Sequence, residues 1–400
     1  MRHEGMNILY GITANGNGHL SRSAQIVSIL RERGHQVTLV ISGQPSKQVM
    51  NAESLKPYFR FDGFSFANNN GRMSAVATIL SARPFRFLGD LLSAMPAGKF
   101  DLAVTDYEPL TAWYARMHGI RSVGFCHMYS YLYPGVPTPD SRWYERLTFR
   151  WLAPADLMLG IHWHPYHRNI IPPFIQPVDT SREDETSVLV YLPWDDPQIY
   201  LPVLAAVKGY RFIIYGHQIL NHHGHGDYLY DHQSGEEGTL VFKTENRTGF
   251  LEDLGRCASV IANAGFSLAS EAASMGKRLL LKPYAGQIEQ EHNATEALRL
   301  GLAMKAETLE PDTITRFLAA SRLEPLAFQN LAPLFVDWLE KGSTILDQGT
   351  WEAMWGKRLP REAYSSSLSC IHTPRHSPRE KTSYQPSPAV STGMSRRPAS

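Results

Sequence analysis

The chain has 400 residues, 39 Lys and Arg against 38 Asp and Glu for a formal net charge of +1, and 43% hydrophobic residues. That length leaves room for two ordinary domains with sizeable cores, and the near-neutral balance argues against nucleic acid as a partner. No apolar run reaches the ~18 residues a membrane span requires. The first five residues form no apolar signal region, and the three cysteines, Cys126, Cys257 and Cys370, contain no CxxC pair, so a reducing, cytoplasmic setting is expected.

From Asn7 the run Asn-Ile-Leu-Tyr-Gly-Ile predicts a short buried strand. A Gly/Asn-rich loop follows at 13–18, then a helix over 20–33, in which Leu20, Ala24, Ile26, Val27, Ile29 and Leu30 form an apolar stripe. Gly34 is a natural stop and 37–41 a second strand, completing a βαβ unit whose right-handed crossover implies a parallel sheet. The unit recurs as strand 100–105, helix 109–118 and strand 121–125. Around 169–185 the pattern breaks into Ile-Ile-Pro-Pro and an acidic stretch, then restarts. Strands are expected at 187–192, 210–215, 239–242, 259–262 and 278–282, with helices over 197–208, 249–256, 267–275 and 288–300.

The expected organisation is α/β, with two doubly wound domains at 1–168 and 187–328 and a linker at 169–186. Helical segments over 329–360, amphipathic at 329–341, are expected to pack back toward the first domain. After about residue 360 the composition turns to Ser, Pro and Arg with almost no aliphatics. Residues 361–400 are therefore expected to be disordered, for want of apolar surface to offset their ordering entropy.

The loop Gly16-Asn17-Gly18-His19-Leu20-Ser21-Arg22 sits between the first strand and its helix, at the carboxyl edge where open α/β sheets bind ligands. Gly16 and Gly18 let the backbone approach a ligand, and the helix start favours negative charge. Dinucleotide binding is disfavoured, because Ser21 holds the third glycine position and Ser42-Gly43 ends the second strand in place of an acid. No Gly-Lys-Ser/Thr follows, which removes a P-loop. His19 at the junction can face a cleft and remove a proton near neutral pH; the alternative is a helix-start hydrogen-bonder. Asp106, after the strand at 102–105, can orient His19, bind an acceptor hydroxyl or cap the next helix. His127 ends the strand after that and is a further cleft candidate.

The second constellation, Ala262-Asn263-Ala264-Gly265-Phe266-Ser267-Leu268-Ala269-Ser270-Glu271, orders a strand end, a glycine turn and a helix start. Backbone N–H groups at Gly265, Phe266, Ser267 and Leu268 would face an anion, with Glu271 one turn on, within reach of a sugar diol. Then come Pro283 and Gly286-Gln287-Ile288-Glu289-Gln290-Glu291-His292-Asn293-Ala294, crowded with groups for hydroxyls. For Glu291 and Glu296, complementing the helix dipole is sufficient reason; for Gln290 it is not.

Asn-Ala-Gly, a helix with Ser-Glu, then Pro and Glu-Gln-x-x-Asn-Ala resembles the donor half of GT-B glycosyltransferases, nearest the MurG-like enzymes that use UDP-N-acetylglucosamine. The likeness covers residues 7–302 and is strongest over 248–302. It implies two Rossmann-like domains facing across a cleft. Gly265, Phe266, Ser267 and Leu268 would hold the diphosphate, Glu271 the ribose hydroxyls, and Glu289 and Gln290 the donor sugar. Asn293 would support that helix, while Thr248, Gly249 and Phe250 border the base. Gly16, Gly18 and His19 would line the cleft opposite. MurG-type loops carry a Gly-Gly doublet where this chain has Asn17-Gly18. Gly-x-Gly-His-x-x-Arg also resembles the loop of PseG-type hydrolases, which cleave a UDP-linked sugar on the same fold.

The expected reaction is therefore inverting transfer from a UDP-sugar to an acceptor hydroxyl, with His19 and Asp106 as the catalytic residues. Hydrolysis or epimerisation of the nucleotide-sugar is the alternative, and a non-catalytic binding protein a third reading. No cofactor is expected, the nucleotide-sugar being a co-substrate. No metal is expected either: His162, His164 and His167, and His222, His223, His225 and Asp227, lack the one-face spacing of a zinc helix. Arg83-Pro-Phe-Arg-Phe-Leu and Arg142-Trp-Tyr-Glu-Arg-Leu-Thr-Phe-Arg-Trp-Leu mix basic and aromatic residues. They suit either helix packing on the first domain or peripheral contact with the inner membrane face and a lipid-linked acceptor.

Overall fold

The computed structural model describes residues 5–14, 17–43, 55–62, 68–69, 72–73, 84–138, 143–216, 239–243, 246–326, 328–343 and 345–356. Gly16, the histidines of 222–225 with Asp227, and the segment 361–400 lie outside them.

Strand β1 (Asn7–Thr13) has Ile8, Leu9, Tyr10 and Ile12 completely buried, and a strand sealed on both faces belongs inside a parallel sheet. Its sheet runs β3 (Tyr58–Phe61), β2 (Gln36–Ser42), β1, β4 (Leu102–Asp106), β5 (Ser122–Cys126), β6 (Leu157–Ile161) and β7 (Ile170–Ile171), every pairing parallel. Helix α1 (Asn17–Glu32) joins β1 to β2, burying Leu20, Ile26, Val27 and Leu30, and ends at Gly34, whose φ of 88° suits glycine. Helix α2 (Pro84–Gly89), with a π turn at Asp90–Ala94, precedes β4, and α3 (Pro109–His118) follows it. Short α4 (His127–Ser130) and α5 (Trp143–Leu152) lie between β5 and β6.

The second sheet runs β10 (Thr239–Lys243), β9 (Arg211–Tyr215), β8 (Asp184–Tyr191), β11 (Cys257–Ala262), β12 (Arg278–Leu281) and β13 (Met304–Lys305), again all parallel. Its helices are α6 (Pro197–Ala206), α7 (Arg247–Arg256), α8 (Phe266–Ser274), α9 (Ile288–Arg299) and α10 (Pro311–Leu318). Because Ile170 and Ile171 pair with β6 and β8 begins at Asp184, the stretch without helix or strand between the sheets is 172–183, shorter at both ends than the 169–186 expected. Fully buried Lys277 donates to Gly255 O at 2.9 Å and pairs with Glu183 of that stretch.

Two C-terminal helices return to the first sheet. In α11 (Leu331–Glu340) Phe335 meets Phe125 at 5.1 Å and Phe174 at 5.4 Å, while Arg33 pairs with Asp337 at 2.6 Å and Glu340 at 2.7 Å. In α12 (Gln348–Trp355) the indoles of Trp351 and Trp355 both donate to Ile170 O, at 2.9 and 3.0 Å.

Each sheet reverses its strand order at one place, between β1 and β4 and between β8 and β11. There the helices leave to opposite sides and a crevice opens at the carboxyl ends. Register sets Ile12 beside Asp106 and Tyr191 beside Ala262 at those ends.

Candidate active site

Helix α1 starts at Asn17, earlier than expected, so His19 lies in its first turn and Arg22 one turn on, over the end of β4. His19 Nδ1 is 2.7 Å from Asp106 Oδ1. Asp106 is wholly buried and His19 keeps 21% of its side chain exposed, so the acid is sealed while the imidazole stays partly accessible. Arg22 donates to Asp106 Oδ2 at 2.8 Å from Nε and binds Oδ1 through Nη2. Ser23 Oγ adds a bond to Oδ2 at 3.0 Å and receives one from Tyr10 OH at 3.2 Å.

Burial pushes the Asp106 carboxyl up, but the Arg22 charge and then His19 more than offset it and leave it below the usual carboxylate range. Burial also lowers the His19 imidazole; Asp106 pulls it up and Arg22 pushes it down, for a net value below the ordinary one. Arg22 Nη2 also approaches His19 Nδ1, at 2.7 Å. A ring nitrogen carries either a hydrogen or a lone pair, and we assign the hydrogen to Nδ1, because the anionic carboxylate is its stronger partner. Nε2 is then the free base. Asp106 is the last residue of β4 and does not cap the following helix. Glu108 does, accepting from Leu110 N at 2.9 Å and Thr111 N at 2.6 Å. Gly11 leaves room for that cap, since a Cβ there would lie 2.3 Å from Thr111 Oγ1.

Ligand atoms of His19, Asp106 and Cys126 lie within 4.8 Å of one another, a grouping that could suit a cation. The position is already served by the Arg22 guanidinium on both Asp106 oxygens, and burial pushes the Cys126 thiol up to about 12. Tyr107, next along the chain, adopts φ of 56°; a non-glycine residue there carries backbone strain of the kind that gathers at functional sites.

The opposite wall is built by α8. Gly265 is its N-cap with no side-chain cap bond. Its own N–H is taken by Asn263 O at 2.8 Å and does not face an anion as expected. That leaves the N–H groups of Phe266, Ser267 and Leu268, at the start of a nine-residue helix, for another acceptor. A Cβ on Gly18 would lie 2.1 Å from Ser267 Oγ, so the two helix starts meet backbone to side chain. Phe266 is stacked between His127 at 4.0 Å and Trp163 at 4.7 Å, and the Trp163 indole donates to Ser270 Oγ at 2.8 Å. His127 opens α4 rather than ending a strand. It is buried, donates from Nδ1 to Ile161 O at 2.8 Å, and is held down to about 4 by burial, so it packs the halves together.

Glu271 is buried and ion-paired with Arg247, at the start of α7. Gln290 turns inward, accepting from Tyr284 N at 2.8 Å. Asn293 donates to Ala264 O at 2.9 Å, tying α9 to the glycine turn of α8. Glu289 is half-buried; burial raises its carboxyl and the Arg22 charge opposes that. Glu296 does not complement the helix dipole as expected, because it lies in the last turn of α9, where an acid opposes it. It is held instead by Tyr166 OH, which donates at 2.5 Å, and by Arg299 Nε at 2.8 Å. Glu291 pairs with Lys305. Gly18, Arg22, Phe266, Ser267, Ser270 and Glu271 line one crevice of about 10 Å³. It shares Ser21 and Gln25 with a groove of about 830 Å³ that also takes in Arg182, Arg247, Thr248 and Glu252.

Of the expected residues, Gly18, Phe266, Ser267 and Glu271 line that crevice together and His19 is paired with Asp106 beside Arg22; Leu268 packs against the core, and Gln290 and Asn293 act as scaffold. The sequence reading missed Arg22, Ser23 and Arg247. Arg22 had a signal, its three-residue spacing from His19; the Arg247–Glu271 pair, 24 residues apart on different helices, had none.

The sequence profile of glycosyl transferase family 1 matches residues 6–135 and 159–322. Among solved structures, a glycotransferase of kitacinnamycin superposes with a TM-score of 0.55 at 16% identity, covering 88% of this chain and 96% of that one. Arabidopsis thaliana UGT89C1 complexed with quercetin gives 0.54 at 16% identity, over 88% and 97%. The same protein complexed with UDP-L-rhamnose gives 0.51 at 15% identity, over 85% and 94%. No curated protein matches the sequence significantly.

Proposed function

The chain belongs to glycosyl transferase family 1, with two parallel-sheet domains of the GT-B fold, and from that premise we propose that it moves a sugar from a UDP-linked donor to an acceptor hydroxyl with inversion. His19 Nε2 takes the acceptor's proton as that oxygen attacks the anomeric carbon. The bond from that carbon to the diphosphate breaks, and its electron pair leaves with UDP. Charge building on the leaving group meets the free N–H groups of α8, already oriented and needing no rearrangement. On this reading those N–H groups take the part a metal ion would otherwise play at the diphosphate. The observation that carries the reading is the sealed Asp106 holding the reachable His19 at 2.7 Å, opposite an uncapped helix start.

UDP as the nucleotide is supported by the Ser-Glu and Glu-Gln motifs and by UGT89C1, solved with UDP-L-rhamnose. Glu271 would reach the ribose by exchanging its Arg247 partner, with the 830 Å³ groove receiving the base. UDP should raise the melting temperature of the full chain, and Glu271→Ala should reduce that rise. Protection by NAD or ATP and none by UDP would end the UDP reading. Incubation with UDP-sugar alone separates the alternative: UDP released without acceptor marks a hydrolase.

For the acceptor, a lipid-linked hydroxyl is favoured by one surface. Phe85, Leu88 and Leu92 are exposed on α2 and its π turn, and Leu147 and Trp151 on α5, among Arg116, Arg146 and Arg150. Peripheral contact with an anionic membrane would present such an acceptor to the cleft. Among the described residues no helix is long and apolar enough to cross a membrane.

A further inference from the structure

Arg22 is a cation with 7% of its surface exposed, held among β1, β4 and β5. Its fork clamps both oxygens of Asp106, its Nη2 faces His19 Nδ1 at 2.7 Å, and its guanidinium carbon lies 5.7 Å from the centre of the Phe125 ring. A His–Asp couple without that cation would behave otherwise. An uncompensated carboxylate beside the ring favours the imidazolium, and a base already protonated takes no proton.

We propose that Arg22 is a positioning residue for transfer: by clamping Asp106 and cancelling its charge, it keeps the His19 ring oriented and neutral at rest. The inference rests on the reading of His19 as the base. Arg22, Asp106 and neutral His19 sum to zero charge, so a proton arriving on Nε2 creates a buried net positive charge. That proton is held loosely and is readily handed on once UDP has left. The other groups around the ring do not supply this compensation. Cys126 on β5 stays a thiol, Tyr10 on β1 stays a phenol far above its ordinary range, and Glu289 on α9 brings a carboxyl whose charge burial disfavours. Lysine would not serve equally, because a point charge cannot bind both carboxylate oxygens in one plane.

The test needs no substrate. In the full chain the imidazole signals are followed by NMR against pH, with His19 identified by its loss in His19→Asn. The wild-type ring should titrate below ~6.5. In Arg22→Gln its midpoint should move up by roughly one pH unit or more, as the Asp106 charge goes uncompensated. An unmoved or lowered midpoint overturns the proposal and leaves Arg22 as packing. If Arg22→Gln does not fold, Arg22→Lys carries the test: a smaller rise is expected, and an unchanged midpoint overturns it. Failure of the base reading looks different: His19→Asn would keep its turnover while the Arg22-dependent titration of the ring stood.

Discussion

His19 has one ring nitrogen facing Asp106 and one left for a substrate, and its role turns on the second. Asparagine preserves the bond to Asp106 but cannot accept a proton. His19→Asn should therefore lower kcat by a factor on the order of 10² or more, with donor affinity little changed. Burial and Arg22 hold the imidazole below its ordinary value. Transfer requires the neutral ring, so the wild-type rate should fall on the acid side at a pH below ~6.5 and stay level above it. A kcat within a few-fold of wild type in His19→Asn would make the ring a positioning group, and the sealed, clamped Asp106 could not take its place as the base. At this scale residue type and local position were legible: a histidine after glycines at a helix start, and an acid at a strand end. That they touch was legible only as one of three roles open to Asp106, because 87 residues separate them and strand order alone brings the ends together. Partners were least legible. Arg247 sits on Glu271 and Tyr284 N on Gln290, and no spacing in the sequence announces a bond between separate elements.

Among elements, the joint between α1 and α8 is the closest approach that matters to the cleft. Gly18 faces Ser267 where a Cβ would lie 2.1 Å from Oγ and 2.7 Å from the serine Cβ. Swinging the hydroxyl away relieves the first clash but not the second, so Gly18→Ala must move one helix start from the other. Overpacking of that kind costs about 1–3 kcal/mol. Gly18→Ala should lower stability to urea by that amount, and adding Ser267→Gly, which removes both atoms, should restore most of it. A double-mutant cycle reads the coupling directly. Additive losses would mean that the two glycine-rich starts do not press on each other. Helices and strands with long apolar periodicity, such as α1, α8 and β8, were read close to their bounds. The short ones, β3, β7, β13 and α10, were not, since two to eight residues carry too few repeats to tell a period from chance.

For the whole molecule, the face of the first domain bearing α2, α3 and α5 is the outstanding surface. Trp113 and Trp151 stack at 6.3 Å and Arg116 lies 5.3 Å from the Trp151 ring centre, so α3 and α5 form one surface; the buried cluster of Leu91, Met95, Leu110 and Ala115 joins α2 and its turn to it. On it Phe85 is 90% exposed and Leu92 63%, which is costly to leave in water unless something apolar takes them up. Arg116 on α3 and Arg146 and Arg150 on α5 are exposed and would favour an anionic partner. A bilayer with negative headgroups meets both needs, and each cation near such a surface contributes about 1 kcal/mol. The full chain should therefore co-sediment with vesicles of phosphatidylglycerol and phosphatidylcholine, and not with phosphatidylcholine alone. Arg150→Glu should weaken that binding in a salt-dependent way, while Phe85→Ser with Leu92→Ser should weaken it at any ionic strength. Neither change touches the cleft, so thermal protection by UDP should survive both. If the vesicles capture the wild type and both variants equally, this face does not dock on lipid, and the acceptor must reach His19 from solution.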